Sequence, residues 1–394
     1  MRALTWQGIN KVAVTEVPDP VIEQPHDAIV RVTSTAICGS DLHLLEALAP
    51  YLQPGDVLGH EFMGIVEEVG SGVQNLQPGD RVVVPFVIAC GHCWMCQRGL
   101  NTQCETTQTR SHGTGANLFG YTSLYGSVPG GQAERVRVPH ADFGPVKLPE
   151  KHSDERYLYL SDILPTAWQG VKYAEVSEGG FLAVMGLGPV GQLAVRSARQ
   201  MGIEHVIGVD LLPDRLAKAE AAGATVMNLK EAGDLTSTLH DLTDGRGPDG
   251  VVDAVGMEAH GSPIAGGLIS ATVRMPKPVA RKAMETVGVD QLAAMHASLD
   301  AVRRGGTVSL SGVYGGGADP MPMMQMFDRQ LTLRMGQCNV QSWTGELLDL
   351  VSQDEDVLGL EDLATHRVGL DQAAEMYSTF RNKDDNCLKV VMTP

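Results

Sequence analysis

Four of the seven cysteines in this 394-residue chain fall within fifteen residues, as Cys90, Cys93, Cys96 and Cys104 of CGHCWMCQRGLNTQC. The spacing C-x2-C-x2-C-x7-C admits disulfide pairs, an iron–sulfur cluster or a metal clasp. Disulfides are rare in a reducing compartment, and the N-terminal stretch MRALTWQGINKVAV contains no apolar targeting segment. The bacterial ferredoxin run places its fourth cysteine after three residues and follows it with proline. Here seven residues intervene and Glu105 follows. Two-residue loops suit thiolates gathered about 2.3 Å from one tetrahedral zinc ion. The spacing therefore favours a closed, structural zinc site that holds a lobe together and keeps no open position for chemistry.

A second stretch, VMGLGPVG, places Gly186, Gly188 and Gly191 in G-x-G-x-x-G after an apolar strand and at the start of a helix. In that context the glycines serve a tight turn, a close approach to a pyrophosphate, and close helix–strand packing. Gly186, Gly188, Pro189, Val190 and Gly191 then form the turn on which a dinucleotide phosphate rests, at the positive end of the helix. Nineteen residues on, HVIGVD ends in Asp210, placed to accept from the adenosine ribose hydroxyls. Its charge opposes a 2′-phosphate and predicts NAD over NADP. Arg215 in the following helix is a solvated side chain or a partial offset to that repulsion.

AICGSDLH (36–43), GHEFMGIVEEVGSGVQNLQPGDRV (59–82) and the four-cysteine lobe, in that order, resemble the medium-chain, zinc-dependent alcohol dehydrogenases. SDILPTAWQG and GGQAERVRVP are most similar to the glutathione-independent formaldehyde dehydrogenase branch. Such enzymes deprotonate an alcohol, and a zinc ion with an open position lowers the pKa of the bound oxygen. Cys38 and His60 are suitable ligands, a soft thiolate and an imidazole. The resemblance puts Asp162 of LSDILPT third, where better-known members have a second cysteine. It implies that Ser40 takes the alcohol proton, that His43 delivers it to solvent, and that Thr166 touches the nicotinamide. It also places Glu61 beside the metal or transiently on it, and matches Lys389 to a basic residue that meets the pyrophosphate. Asp41 is placed to accept the second ring N–H of His60.

Two kinds of folding unit must position these groups. Residues 1 to about 155 read as short β-branched runs cut by Gly, Pro and Asp, among them DAIVRVTSTAICG and GDRVVVPF. From residue 156 helical spacing begins, and strands then alternate with helices, the pattern of a doubly wound parallel α/β sheet. The expected organisation is a GroES-like β-barrel catalytic domain over 1–163 and 315–394, with its zinc lobe at 88–106. A Rossmann domain over 164–314 carries an insertion at 258–290. That insertion is either a surface elaboration, an oligomer contact, or, as in the resembled branch, a cover over tightly bound NAD.

The net charge of −17 and pI near 5.1 disfavour nucleic acid and anionic membranes as partners. The longest apolar window, FLAVMGLGPVGQLAV, is too short and glycine-rich to span a bilayer. A cytoplasmic homo-oligomer, tetramer or dimer, is expected, with two zinc ions and NAD, oxidising a small alcohol or an aldehyde hydrate such as that of formaldehyde. Aldehyde dismutation, a polyol or threonine-like amino-alcohol substrate, and a non-catalytic nucleotide-binding role are the alternatives.

Overall fold

The computed structural model describes residues 1–256, 292–314 and 321–394, so the insertion at 258–290 lies outside the described residues. The chain divides into two units, Met1–Pro165 with Cys338–Pro394, and Thr166–Gln337. Among the described residues no helix is long and apolar enough to cross a membrane.

The first unit is built on a seven-stranded sheet. Its centre is Ala28–Ile37, a β-branched run paired antiparallel with Glu61–Val69, Ala36 facing Glu61. Val30, Val32, Phe62, Val66, Val82 and Val84 fill the core between the sheet's folded layers. Antiparallel pairing brings the end of one strand beside the start of the next. Cys38, just past Ile37, and His60, just before Glu61, are therefore neighbours, although 22 residues separate them in sequence.

In the second unit six parallel strands lie in the order Thr225–Asn228, His205–Asp210, Phe181–Met185, Gly250–Asp253, Thr307–Leu310, Thr332–Met335. Numbered along the chain this is 3-2-1-4-5-6, with the order reversing beside Phe181–Met185, where such sheets bind ligands. FLAVM, GVVD and TVSL are buried along almost their whole length because a parallel sheet is covered on both faces.

Two expectations need correction. The chain returns to the first unit at residue 338 and not at 315, because Thr332–Met335 pairs in parallel with Thr307–Leu310. As an edge strand, TLRM is largely exposed, so it lacks the apolar signature of the inner strands. The helical stretch from 156 is also broken: Asp154–Leu158 and a short turn at Tyr159–Ser161 precede Ile163–Tyr173. The break falls at Asp162, whose φ of −156° and ψ of −76° are not helical. Pro165, which lacks an N–H, is tolerated only in a helix's first turn and so fixes the start of the second helix.

Candidate functional site

The four lobe cysteines point their sulfur atoms at a common centre, all within 4.8 Å of one another, and no disulfide joins them. Sulfur atoms on a tetrahedral ion with Zn–S near 2.3 Å stand about 3.8 Å apart; Cys93 and Cys104 stand at 3.9 Å. Backbone N–H groups of Cys90, Cys93 and Cys96 donate to Cys104, Cys90 and Cys93 sulfur at 3.4–3.5 Å. Burial pushes the Cys104 thiol up, but hydrogen bonds from Thr107 and backbone N–H groups outweigh it and bring its pKa down to about 6. A thiolate is thus favoured before any ion arrives. The lobe is pinned by Thr102, whose N–H and hydroxyl both donate to Asn339 Oδ1 at 3.0 Å.

Cys38, His60, Glu61 and Asp162 form a second set of ligand atoms within 4.8 Å, all four residues buried. Asp162 Oδ2 lies 3.4 Å from His60 Nε2 and 3.6 Å from Cys38 Sγ. A tetrahedral zinc with ordinary bond lengths separates nitrogen and oxygen by about 3.3 Å, and sulfur and oxygen by about 3.5 Å. The three donors fit. The break at Asp162 is what aims its carboxylate, and it is held by the Phe86 N–H, which donates to Ser161 O at 3.0 Å. Burial pushes the Cys38 thiol up to about 11, helped by Glu61 and Asp162, so a cation must displace that proton before sulfur can ligate. Burial opposes charge on His60, yet Asp41, Cys38 and Asp162 together raise its pKa well above normal. The cluster is built to attract positive charge.

Asp41 stands behind His60, Oδ1 being 3.0 Å from Nδ1. The ring N–H and the carboxylate are not well aligned, since neither atom meets hydrogen-bond geometry; the contact is a close electrostatic one. Asp41 Oδ2 accepts the Cys38 N–H at 3.0 Å, so one carboxylate braces both ligands. Ser40 Oγ sits 3.1 Å from His60 Nε2 and 3.3 Å from Cys38 Sγ. Phe86 and Tyr121 set their rings edge-on to His60, with centroids at 6.4 and 6.2 Å.

Lys389 is not an exposed strand residue. It is fully buried, with Nζ 2.7 Å from both Glu61 oxygens and 2.9 Å from Ile37 O. Burial works against its charge, but Glu61 outweighs burial and raises its pKa. Glu61 is thereby tied back, and Cys38, His60 and Asp162 remain as three candidate donors, the number of protein ligands that open zinc sites use. Burial pushes the His43 pKa down to about 4, with Asp41 only partly opposing, so it is a neutral ring at pH 7.

In the second unit Gly186 takes φ +82°, and a Cβ at Gly191 would lie 1.9 Å from Gly186 O. Gly188 precedes the helix Pro189–Gln200, with Pro189 and Val190 in its first turn. Asp210 Oδ2 accepts the Leu187 N–H at 2.6 Å, and Oδ1 those of Leu211 and Leu212. A carboxylate offers about four acceptor positions, and among the described residues backbone N–H groups take three of them. The Arg215 guanidinium lies 3.6 Å from where a Gly188 Cβ would stand. Thr166 is half-buried in the first turn of Ile163–Tyr173.

The structure thus gathers Cys38, Ser40, Asp41, His60, Glu61 and Asp162 in the first unit. In the second it gathers Asp210 and Arg215 at the glycine turn. Sequence reasoning does not find Gln132, buried against Asp41, or Tyr377 behind it. A polar residue between the small residues of GGQAERV is the signal for the former; Tyr377, in an ordinary amphipathic helix, offers none.

Residues 24–150 match the family model for the alcohol dehydrogenase GroES-like domain, and 189–262 that for zinc-binding dehydrogenases. An uncharacterized zinc-type alcohol dehydrogenase-like protein of Bacillus subtilis is 39% identical over the whole of both chains. The glutathione-independent formaldehyde dehydrogenase of Pseudomonas aeruginosa is 40% identical over 66% of each chain. Formaldehyde dismutase of Pseudomonas putida is 31% identical over 96% of this chain and 94% of its own. Alcohol dehydrogenase TADH from Thermus sp. ATN1 superposes with a TM-score of 0.83 at 35% identity, covering 100% of this chain and 99% of that one.

Proposed function

This chain belongs to the zinc-dependent medium-chain alcohol dehydrogenases and is an oxidoreductase; from that premise we propose that it moves hydride from a small primary alcohol or an aldehyde hydrate to NAD. The observation that carries the reading is the three-donor set Cys38, His60 and Asp162, with Glu61 tied away by Lys389. Two anionic donors and one neutral one match the charge of a divalent ion. An oxygen donor is harder than sulfur and gives less electron density to the metal, which favours a strong electrophile.

Zinc, when bound, lowers the pKa of an alcohol oxygen, and a nicotinamide accepts the hydride. The residues of this chain do the rest. Asp41 orients His60 and Cys38. Ser40, beside both ligands, is placed to hold the proton that the alcohol gives up, and His43, one helical turn on, is a neutral ring at pH 7 that can relay that proton from one nitrogen to the other but not store it. Phe86 and Tyr121 crowd His60 and favour a small substrate. The relatives named formaldehyde dehydrogenase and formaldehyde dismutase support a one-carbon aldehyde, whose hydrate is a diol open to the same oxidation. Asp210, by its charge, supports NAD over NADP. The family supports a homo-oligomer.

A panel of small alcohols and aldehydes, polyols and threonine, assayed with NAD and NADP, tests this. Formaldehyde and short primary alcohols with NAD are the expected substrates. Turnover confined to polyols or amino alcohols, or to NADP, overturns it. Conversion of aldehyde to equal acid and alcohol without added NAD, with nucleotide released by acid, identifies the dismutase variant.

A further inference from the structure

We propose that Gln132 and Tyr377 are positioning residues of the metal centre, fixing the Asp41 carboxylate and through it the His60 ring and the Cys38 backbone. The inference rests on the reading that Cys38, His60 and Asp162 hold a metal. Tyr377 OH donates to Gln132 Oε1 at 2.9 Å. Gln132 Nε2 donates to Ala36 O at 3.0 Å and to Asp41 Oδ2 at 3.4 Å. A backbone carbonyl can only accept, so the amide has one workable orientation: nitrogen towards Ala36 O and Asp41, oxygen towards the tyrosine. The Asp41 oxygens are then divided, Oδ2 towards Gln132 and the Cys38 N–H, Oδ1 towards His60 Nδ1.

The backbone is shaped around this contact. Gly59, the residue before His60, takes φ +96°, and a Cβ there would lie 2.3 Å from Gln132 Cγ. Gly131 N–H donates to Gly59 O at 2.8 Å and Gln132 N–H to Leu58 O at 3.0 Å, so the segment carrying the ligand is clamped to the segment carrying the amide. Gln132 and Asp41 are 0% exposed and Tyr377 2%. In so dry a place a donor lost from Asp41 is not replaced by bulk water, and the carboxylate turns. Groups that orient a metal-bound histidine are worth about 10–100-fold in metal affinity or activity.

The test uses full-length, metal-replete protein and its own four-cysteine site as internal control. Gln132→Leu is expected to weaken the catalytic zinc about 10–100-fold in chelator competition, leave the lobe zinc in place, and shift the visible absorption of cobalt at the catalytic site. Tyr377→Phe, which removes one hydroxyl, is expected to act in the same direction by about 2–10-fold, one hydrogen bond's worth. If Gln132→Leu does not fold, Tyr377→Phe alone decides. Unchanged catalytic-site affinity and cobalt spectrum in a folded variant overturn the proposal, as does equal weakening of both metals, which marks a merely structural role. A wild-type chain holding one zinc instead sinks the underlying two-metal reading.

Discussion

Lys389→Met removes a buried ammonium while keeping the length and bulk of the stem. What is lost is the charge and its contacts at 2.7, 2.7 and 2.9 Å to the two Glu61 oxygens and Ile37 O. Both partners of this ion pair are 0% exposed, so water does not take the place of the ammonium. Stripping one side from a buried pair costs about 3–5 kcal/mol, because the other charge stays behind uncompensated. Glu61 has two escapes. It takes up a proton, to which burial already inclines it, or it turns to the metal ligands, whose donor atoms lie within 4.8 Å of its own. The second escape fills the position that substrate oxygen needs, so kcat/KM is expected to fall by at least about tenfold, one pK unit's worth of barrier. The neutral double variant Glu61→Gln/Lys389→Met leaves no orphan charge and is expected to recover at least about 2 kcal/mol of the loss. Urea unfolding of zinc-saturated protein at pH 7, with steady-state kinetics on all four members of the cycle, measures both effects. A single-variant cost below about 1 kcal/mol, the worth of an exposed pair, or strict additivity in the cycle, would refute the reasoning.

Gly191→Ala drives a methyl group against Gly186 O, 1.9 Å away, and neither backbone can yield cheaply; dinucleotide affinity measured by calorimetry is expected to fall at least about tenfold, and an unchanged Kd contradicts this. His43 has a folded-state pKa of about 4 against an ordinary 6.5, so the unfolded chain takes the proton first. Its contribution is whole above pH 6.5 and is lost as pH falls towards 4, amounting to about 3 kcal/mol. His43→Gln should therefore flatten the fall in urea midpoint across that range, and parallel pH profiles for variant and wild type exclude the assignment. Cys104→Ser removes a lobe thiol whose pKa is brought down to about 6. One zinc per chain should be lost and the melting temperature lowered, while retention of both metals shows that the lobe needs only three sulfurs.

Local chemistry with a short reach is legible in the sequence alone. The cysteine lobe is contiguous, and its ligand spacing is set by two-residue loops. The glycine turn carries its own strand and helix, and Gly186 and Gly191 answer steric demands that the folded chain displays. Cys38 and His60 need a resemblance, because only the antiparallel register of Ala28–Ile37 with Glu61–Val69 makes them neighbours. Asp162 is legible as a residue but not as a helix break, since its neighbours have helical periodicity on both sides. Lys389 escapes sequence reasoning because a lysine in LKVVMTP looks exposed until its partner, 328 residues away, is known. The titration of His43 escapes it for a related reason: burial is a property of the packed fold, and no motif around this histidine announces it. The edge strand Thr332–Met335 is hidden because exposure removes the apolar run by which inner strands are recognised.

Anomalous diffraction at the zinc edge, on crystals of metal-replete protein, tests the central claim most directly. The expected map has two peaks per chain. One lies among the sulfur atoms of Cys90, Cys93, Cys96 and Cys104. The other lies about 2.0–2.3 Å from Cys38 Sγ, His60 Nε2 and Asp162 Oδ2, with no fourth protein atom bound. Absence of a peak among those three side chains, or a fourth corner closed by Glu61 or another residue, would contradict it.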